Sequence, residues 1–403
     1  MARCGDGLAV DADLTLAAEV ATRAALEPLR GRTPDLMFAF VCGDDPDQAC
    51  VALERAAAVS GATTALGCNA GGVIGGGRGV ELASSVSVWA AVLPEVRLRS
   101  FHLEVLRSSE SIAIVGMPVQ RADDEVAVVL ADPYSFPIDA FVEQANDVLP
   151  GLPLVGGLAN GMRGAGSTRL LVDGRVHDRG AVGVVLGGSV GARTVVSQGC
   201  RPVGPAMTVT AAEGNVVLSL AGVPAIAKLE EVLAGLPPAD QALASRGVHL
   251  GIAMDEYVDQ HGHGDFLVRG VVGADTERGG LVIGDVVAPG RTVRFQVRDA
   301  DTATADLTAL LGTFRDRGGL DPVEGALLFT CNGRGASLFP SADHDVQTVQ
   351  RVLCTPGVAG FFAAGEIGPV GGRNHLHGFT ASVLAFGQSH PQPSRHPAAA
   401  EAL

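Results

Sequence analysis

The sequence predicts a mixed α/β fold, in which layered sheets are flanked by helices and internal repeats are related by pseudo-symmetry. Hydrophobic residues make up 47% of the 403 residues and charged residues only 18%, so most of the chain can be packed into a core. Runs typical of strands and helices also occur three times in the same order, and we call each occurrence a pass. Every pass contains a glycine-rich stretch that is followed by a further strand. A four-layer αββα arrangement, with two stacked sheets between helices, fits this pattern.

The first pass starts with a helix predicted over Asp13–Arg30, because Leu16, Val20 and Ala24 follow the spacing of one helix face. A buried strand, a second helix, a strand that enters the glycine stretch CNAGGVIGGGRG, a further apolar strand and a half-exposed alternating strand come next. Their predicted bounds, in that order, are Met37–Cys42, Pro46–Ser60, Thr63–Gly67, Val86–Leu93 and Arg97–Val105.

The second and third passes repeat this order. In the second, the predicted strand, helix, strand into the glycine stretch GGLANGMRGAG and closing strand are Val126–Ala131, Ile138–Val148, Leu154–Gly156 and Ala181–Leu186. We expect Arg193–Ser197 to form a hairpin with the closing strand. In the third, the strand, helix, strand before the loop GEIGPVGG and closing strand are Ala326–Thr330, Asp345–Leu353, Gly360–Ala364 and Ala381–Phe386.

A block of different character separates these two passes. Val223–Leu236 is predicted to be a helix with Pro224 in its first turn, and Asp301 is expected to cap the N-terminus of another helix. The strands between them are predicted to form an antiparallel meander of His249–Met254, Asp265–Val272, Leu281–Val287 and Arg291–Val297. We expect the chain to divide into two regions, 10–200 and 201–388, followed by a disordered tail, 389–403, that is rich in Pro and Ala.

The composition argues against several classes of function. A net charge of −15 leaves no basic patch for nucleic acid, and no apolar run approaches the ~20 residues of a membrane-spanning helix. Lys228, the single lysine, lies in a helix-like segment, so neither a Walker A loop nor a Schiff-base site is expected. The seven cysteines are scattered without a CxxC pair, and the N-terminus lacks a signal-peptide pattern. We therefore expect a cytoplasmic protein with reduced thiols and no bound cofactor.

The stretch from Gly360 to Thr380 is the predicted binding site. It contains Glu366 among apolar residues and glycines, where a lone carboxylate needs a partner, backbone donors or a ligand. As a binding residue, Glu366 would accept hydrogen bonds from an amine or a hydroxyl, while Arg334 or Arg373 held a carboxylate, which suits a zwitterion. The alternative is structural: Glu366 caps backbone amides and pairs with Arg334 across two strand ends.

Cys331 and Asn332 stand in a turn after a strand, where α/β proteins commonly bind ligands. Cys331 could act as a nucleophile, with His375 or His377 as its base and Glu366 as the orienting group. A small buried thiol beside a tight turn is the commoner state of such a cysteine.

His375 and His377 have the spacing that puts both on one face of a strand. With Glu366 they could bind zinc or iron, but a histidine that donates to backbone is commoner, so no metal is predicted. The Cys-Asn dipeptide at residues 68–69 echoes the one at residues 331–332, which favours a binding or structural role shared by the repeats. Backbone donors from the facing half are expected at Gly67, Gly71, Gly156 and Gly157.

Motifs across residues 10–388 resemble those of one family. In the C-terminal half they are ALLFTCNGRG and GVAGFFAAGEIGPVGGRNHLHGFTASVLAF, which join a Cys–x–Gly–Arg turn, a Gly-Glu-Ile-Gly-Pro turn and a histidine near the last strand. In the N-terminal half they are PDLMFAFVC, TALGCNAGGVIGGG, LPLVGGLANG and GAVGVVLGG. This combination resembles the FIST proteins, with residues 10–200 as a FIST N-type region and 201–388 as a FIST C-type region.

The resemblance implies a cytoplasmic sensory domain that binds small molecules such as amino acids and acts in signal transduction. The sequence contains no recognisable kinase, methyl-accepting or cyclase segment, so we expect a separate signalling partner protein, whose identity the resemblance does not give. Two alternatives stay open: a Cys-dependent hydrolase or transferase, and a scaffold that binds only protein. Ligand binding without catalysis is the favoured interpretation.

Overall fold

The computed structural model describes residues 2–108, 112–258, 261–262, 264–316 and 320–389. The predicted mixed α/β class is confirmed: within these ranges the strands form four sheets, and helices pack against them. Across the same ranges, no helix combines the length and the apolarity that a membrane span requires. Residues 390–403, almost all of the tail expected to be disordered, lie outside the described residues.

The first repeat contains both helices that the sequence predicts, and each begins at an aspartate cap. The Asp13 carboxylate accepts from the N–H groups of Thr15 and Leu16, and the Asp45 carboxylate caps the next helix. The elements are β1 (Arg3–Val10), α1 (Leu14–Leu26), β2 (Leu36–Cys42), α2 (Pro46–Ser60), β3 (Thr64–Ala70), β4 (Gly72–Gly75), β5 (Arg78–Glu81) and β6 (Ser85–Val92). A short 3-10 turn, Glu27–Leu29, follows α1, and Arg30 is its C-cap.

The second repeat has a strand where the first has its N-terminal helix. Its elements are β7 (Val96–Arg107), β8 (Ile112–Val115), β9 (Asp124–Ala131), α3 (Ile138–Val148), β10 (Leu154–Leu158), β11 (Leu170–Val172), β12 (Arg175–His177) and β13 (Ala181–Gly188). β7 is half-exposed along most of its length, as its alternating sequence predicts.

The third repeat begins with β14 (Ala192–Gln198) and is interrupted by an inserted sheet. The insert consists of β15 (Cys200–Glu213), β16 (Val216–Leu220), β17 (Val223–Pro224), α4 (Ala225–Ala234), α5 (Pro238–Ala244), β18 (Val248–Ala253), β19 (Phe266–Asp275), β20 (Gly280–Ile283) and β21 (Thr292–Arg298). The repeat resumes with α6 (Ala300–Asp316), β22 (Leu320–Cys331), α7 (His344–Leu353), β23 (Val358–Ala363), β24 (Glu366–Val370), β25 (Arg373–His377) and β26 (Thr380–Ser389). The division of the chain at residue 200 stays a prediction.

Each repeat gives one hairpin to the sheet of another repeat. The sheet of the first repeat has the strand order β1-β6-β2-β3-β11-β12, so its last two strands come from the second repeat. The sheet of the second repeat, β8-β7-β13-β9-β10-β24-β25, takes its last two strands from the third. The third sheet, β14-β26-β22-β23-β4-β5, takes them from the first. The exchange is therefore cyclic, and we call β4–β5, β11–β12 and β24–β25 the exchanged hairpins.

Three sheets share one central core. Side chains from the inner faces of all three form a single cluster that includes Phe38, Trp89, Val128, Phe329 and Phe361. The outer faces pack against α1 and α2, against α3, and against α6 and α7, respectively. Because the central strands are apolar on both faces, they read as continuous hydrophobic runs. This arrangement replaces the four-layer stack of two sheets that the sequence pattern suggests.

The strand registers explain why glycine stretches recur. Gly67, Gly156 and Gly360 each pair with an exchanged hairpin on one side and with the first central strand of their own repeat on the other. A Cβ atom at these positions would lie 2.3, 1.9 and 1.7 Å from a backbone carbonyl oxygen. These carbonyls belong to β2, β9 and β22, so each of these strands can pair closely with β3, β10 or β23 only because the glycine lacks a side chain.

Several predicted elements differ from the structure. Arg193–Ser197 does not pair with the second repeat, because β14 lies beside β26 in the third sheet. The inserted strands are antiparallel, but β21 lies between β15 and β18, so their order is not a meander. The cap of α6 is Asp299, whose carboxylate accepts from the N–H groups of Asp301 and Thr302. The GEIGPVGG segment is not a loop, since it forms β24 and the turn into β25.

Candidate functional site

Glu366 lies on β24, where the third exchanged hairpin enters the sheet of the second repeat. It pairs in register with Gly157 on one side and with His377 on the other, and its side chain is 0% exposed. Thr380 donates to Oε2 through its N–H at 3.0 Å and through its hydroxyl at 2.8 Å. Oε1 has no hydrogen-bond partner among the described residues. Burial raises the pKa of this carboxyl to about 8, so it is largely protonated at neutral pH.

The other two repeats carry apolar residues where the third carries Glu366. The registers make Val73 and Leu170 its counterparts, and both belong to the central core. The same alignment matches Cys331 with Cys42. Cys42 lies three residues after Ala39, which pairs with Gly67, and Cys331 lies three residues after Leu328, which pairs with Gly360. Cys68 therefore is not the counterpart of Cys331, although the Cys-Asn dipeptides look alike. Within the described residues, only the third repeat has a carboxylate at this position.

Arg334 forms its ion pair with Asp345 at the start of α7. Its Nε and Nη2 donate to the two carboxylate oxygens at 2.8 and 2.9 Å, and both side chains are buried. Thr330 and His344 bond the same carboxylate. Burial alone would raise the pKa of the Asp345 carboxyl, but the charge of Arg334 and these hydrogen bonds hold it well below its usual range.

The ion pair with Asp345 uses two of the three guanidinium nitrogens of Arg334, and Nη1 is the third. Nη1 is buried and has no acceptor among the described residues. It lies against the backbone of Gly199, where a Cβ would be 2.8 Å away, and the guanidinium stacks 5.4 Å from the ring centroid of Phe339. The sequence did not point to Asp345, because a carboxylate in the first turn of a helix is normally an exposed residue that favours the helix dipole.

Cys331 has no imidazole among its described contacts. Its Sγ accepts from the N–H of Gly333 at 3.4 Å. Burial, together with the nearby Glu366 carboxyl, raises the pKa of this thiol to about 12, so the thiolate needed for attack is scarce. His377 is bonded through Nε2 to the Gly368 carbonyl at 3.0 Å, and burial lowers its pKa to about 3. The nucleophile hypothesis therefore finds no base in this geometry.

Arg373 and His375 lie at a different place, along a cavity of about 360 Å³ beside β25. The exchanged hairpin turns at Gly371 and Gly372, whose φ values of +59° and +80° suit a two-residue hairpin turn. The cavity lies between α3, the edge of β25 and the inserted sheet. Its lining is Asp139, Val142, Glu143, Asn146, Ile252, Met254, Leu267, Arg269, Asp285, Val286, Arg291, Arg373, Asn374, His375 and Leu376.

The cavity carries charges of both signs. Asp139 and Glu143 are four residues apart on α3, so they lie on one helix face, and neither has an ion-pair partner among the described residues. Arg269 is bound to Asp285 at 2.7 Å, while Arg373 has no ion-pair partner in the same ranges. Burial, together with the charges of Arg373 and Arg269, lowers the pKa of His375 to about 4, so the imidazole is neutral at pH 7.

The predicted site residues thus fall into two groups. Cys331, Arg334 and Glu366 form the buried cluster, while Arg373 and His375 line the open cavity, and His377 lies between the two. The glycines and Asn332 lie in strands or in the turns that follow them. Gly67 lies in β3, and Gly156 and Gly157 lie in β10. Gly71, between β3 and β4, accepts from Leu82, and the Asn332 N–H, in the turn after β22, donates to Ala363. Sequence reasoning missed Asn146, Arg269 and Asp139, since only the fold brings α3 and the inserted sheet to β25.

Family models match most of the chain. The FIST N domain matches residues 35–223, and the FIST C domain matches residues 225–369. The chain belongs to the FIST family. FIST domains are generally sensory, signal-transduction domains.

Full-length relatives of this FIST protein occur in mycobacteria. A protein of Mycobacterium tuberculosis (strain ATCC 25618 / H37Rv), described only as uncharacterised, is 43% identical over 385 residues, which cover 95% of this chain and 99% of the relative. An uncharacterised protein of Mycobacterium bovis (strain ATCC BAA-935 / AF2122/97) is 40% identical over 386 residues, which cover 95% and 98%. The pairing of the FIST N and FIST C regions is therefore matched along nearly the whole length of both relatives.

Proposed function

We propose that this FIST protein binds a small zwitterion, such as an amino acid, in the cavity beside β25. The binding would serve a sensory role in the cytoplasm, with a separate protein as the signalling partner. One observation carries the proposal: unpaired carboxylates on α3 face a cavity whose other walls carry arginine and a neutral imidazole. A volume of about 360 Å³ lies at the small end of the range for ligand pockets.

The charge arrangement favours a zwitterion over a singly charged ligand. An ammonium group would meet Asp139 and Glu143, neither of which forms an ion pair within the described residues. A carboxylate would meet Arg373, which is likewise unpaired there, and the outer side of Arg269. A ligand with one charge would pair with only one of the two sets of charged groups, so it would make fewer charge-assisted contacts than a zwitterion.

A second surface groove lacks this arrangement. It has a volume of about 530 Å³ and lies at the N-terminal ends of α1 and α2. Its walls carry Asp13 and Asp47 but no basic side chain, so they offer a carboxylate no cationic partner. The larger groove therefore does not compete as a zwitterion site.

In this proposal the buried cluster acts through the hairpin. Glu366 holds β24 to Thr380 of β26, and β24 carries β25 with Arg373 and His375. Glu366 is then a positioning residue: it does not line the cavity, and it affects Arg373 and His375 only through the backbone pairing of β24 with β25.

The test is a binding screen of the common amino acids by thermal shift, followed by calorimetry on any that bind. The double variant Glu143→Gln, Arg373→Ala should lose affinity by at least about tenfold, because two charge-assisted contacts disappear. The matched control, Glu230→Gln with Arg175→Ala, changes exposed residues far along the chain and should bind as the parent does. Unchanged affinity in the cavity variant would show that the ligand binds elsewhere. If no amino acid raises the melting temperature, the scaffold that binds only protein is favoured.

A further inference from the structure

The outer edge of β25 is paired with a side chain. β25 is the last strand of its sheet, so one row of its backbone groups points away from β24. At Asn374 the N–H donates to Asn146 Oδ1 at 2.7 Å, and the C=O accepts from Asn146 Nδ2 at 3.0 Å. The Asn146 amide thus occupies the place that a peptide group of an added strand would take.

The direction of the neighbouring groups follows from this contact. Backbone groups two residues apart on a strand point to the same side, so the N–H and C=O of Leu376 also face outwards. The Leu376 C=O accepts from Arg269 Nη1 at 3.0 Å, as expected for that direction. The register agrees, since Pro369 lies opposite Asn374 and could donate no ladder bond there.

The N–H of Leu376 is left open towards the cavity. Leu376 lines the cavity, its N–H faces away from the β24 ladder, and no side chain or loop carbonyl accepts from it in the part of the chain that the structure describes. The guanidinium of Arg269 stands beside it, bound to the carbonyl of the same residue. A backbone N–H next to a guanidinium is a natural place for a carboxylate oxygen.

A third wall of the cavity is apolar. It comes mainly from the inserted sheet and consists of Ile252, Met254, Leu267 and Val286. Val286 is 69% exposed, so this wall has apolar surface that a ligand could cover. The wall lies in the same cavity as the α3 carboxylates and the edge of β25, which gives three different chemical surfaces around one space.

We infer that the Leu376 N–H joins Arg269 and Arg373 in binding the ligand carboxylate at the edge of β25, and that the ligand is an amino acid with an apolar side chain. This inference rests on the proposed function and specifies its ligand class. The ammonium group meets Asp139 and Glu143, and the side chain covers the apolar wall. Binding then satisfies the Leu376 N–H, which neither Asn146 nor the β24 ladder takes up.

The decisive variant is Leu376→Pro. Proline removes this N–H alone, and it is tolerated on an edge strand where the N–H points away from the sheet. Leu376→Ala is the matched control, since it truncates the side chain but keeps the N–H. With L-leucine as the probe, we expect Leu376→Pro to bind at least about tenfold more weakly than Leu376→Ala. The probe 3-methylbutylamine, which is leucine without its carboxylate, should bind both variants equally.

Nuclear magnetic resonance tests the same contact without a proline. In protein labelled with [15N]leucine, the Leu376 amide signal is the one missing from Leu376→Ala, and it should shift downfield as L-leucine is added. Equal affinities of the two variants, or an amide signal that does not move while L-leucine binds, would overturn the inference and leave the proposed function standing. If L-leucine fails to bind while a polar or charged amino acid binds, the ligand class is wrong. If no amino acid binds, both proposals fall together.

Discussion

Arg334 pairs with Asp345, and no charged group of the described residues is in hydrogen-bond contact with Glu366. The two carboxylates differ in consequence: the guanidinium holds the Asp345 carboxyl ionised, while burial keeps the Glu366 carboxyl largely protonated at neutral pH. One cation therefore neutralises one anion beneath the strand ends of the third repeat. The structural alternative from the sequence, an ion pair between Arg334 and Glu366, is wrong about the partner.

Asp345→Asn should destabilise the protein strongly. The substitution leaves the buried Arg334 charge without its counter-ion, and breaking one partner of a buried pair costs about 3–5 kcal/mol. Urea unfolding at pH 7 measures the loss. Asp316→Asn, at an exposed position in α6, should change the free energy of unfolding by less than about 1 kcal/mol. A small effect at Asp345 would mean that solvent reaches the pair.

Glu366→Gln should change how stability depends on pH. The pKa of the folded carboxyl is about 8 against an ordinary 4.5, so between these values the folded state keeps a proton that the unfolded state has released. The free energy of unfolding then falls as pH rises through this window, by about 1.4 kcal/mol per pH unit from this group. Glutamine removes that contribution, so the variant should gain stability over the parent from pH 5 to pH 8. Parallel stability curves for the two proteins across this window would contradict the prediction.

Gly360→Ala should disrupt the pairing of β22 with β23. Its Cβ would lie 1.7 Å from the Leu328 carbonyl oxygen, which requires the backbone of β22 or β23 to move. We expect a loss of at least about 3 kcal/mol, as for severe strain in a core. Gly312→Ala is the control, because nothing lies near its Cβ and alanine favours a helix by up to about 1 kcal/mol. Thermal unfolding of the two variants should therefore move in opposite directions.

Asn146→Ala should loosen the edge of β25 selectively. The variant loses both hydrogen bonds to the Asn374 backbone, which costs about 1–3 kcal/mol because those groups are partly buried. Hydrogen exchange of the Asn374 amide should speed up, whereas Gln144→Ala, on the exposed side of α3, should leave it unchanged. Equal protection in both variants would show that the Asn146 amide does not hold the strand.

Cys331 should alkylate slowly. Burial raises the pKa of its thiol to about 12, whereas Cys354 is exposed at the end of α7. With iodoacetamide at pH 7.5, mass spectrometry of the peptides should show Cys354 modified well before Cys331. Faster modification of Cys331, and its loss in His377→Ala, would revive the nucleophile hypothesis.

Local patterns in the sequence predict elements well but not their neighbours. β2 and α2 fall at the expected residues, because a buried apolar run and an aspartate cap with proline in the first turn are local signals. The exchange of hairpins is a long-range choice, and nothing in GEIGPVGG states that it pairs with β10 rather than with its own sheet. The same reason hides Asn146, whose role depends on a contact with a residue 228 positions away.

The sequence likewise predicts individual residues of the candidate site but not the cavity that they line. Glu366 was recognisable as an anomaly because a carboxylate among glycines and apolar residues needs an explanation. Its proximity to Cys331 and Arg334 also follows from their places at strand ends of one repeat. The cavity could not be predicted, because Asp139, Arg269 and Arg373 come from three separate elements that only the insertion and the hairpin exchange bring together.

The cyclic exchange has a consequence for the order in which the protein can be made. β10 is complete only when β24 pairs with it, yet a ribosome synthesises about two hundred residues between the two strands. During that interval β10 presents an open, apolar strand edge, which is prone to wrong pairing. The second repeat therefore cannot close until β24 has been made, so a chaperone that shields strand edges would be most useful between the synthesis of β10 and that of β24.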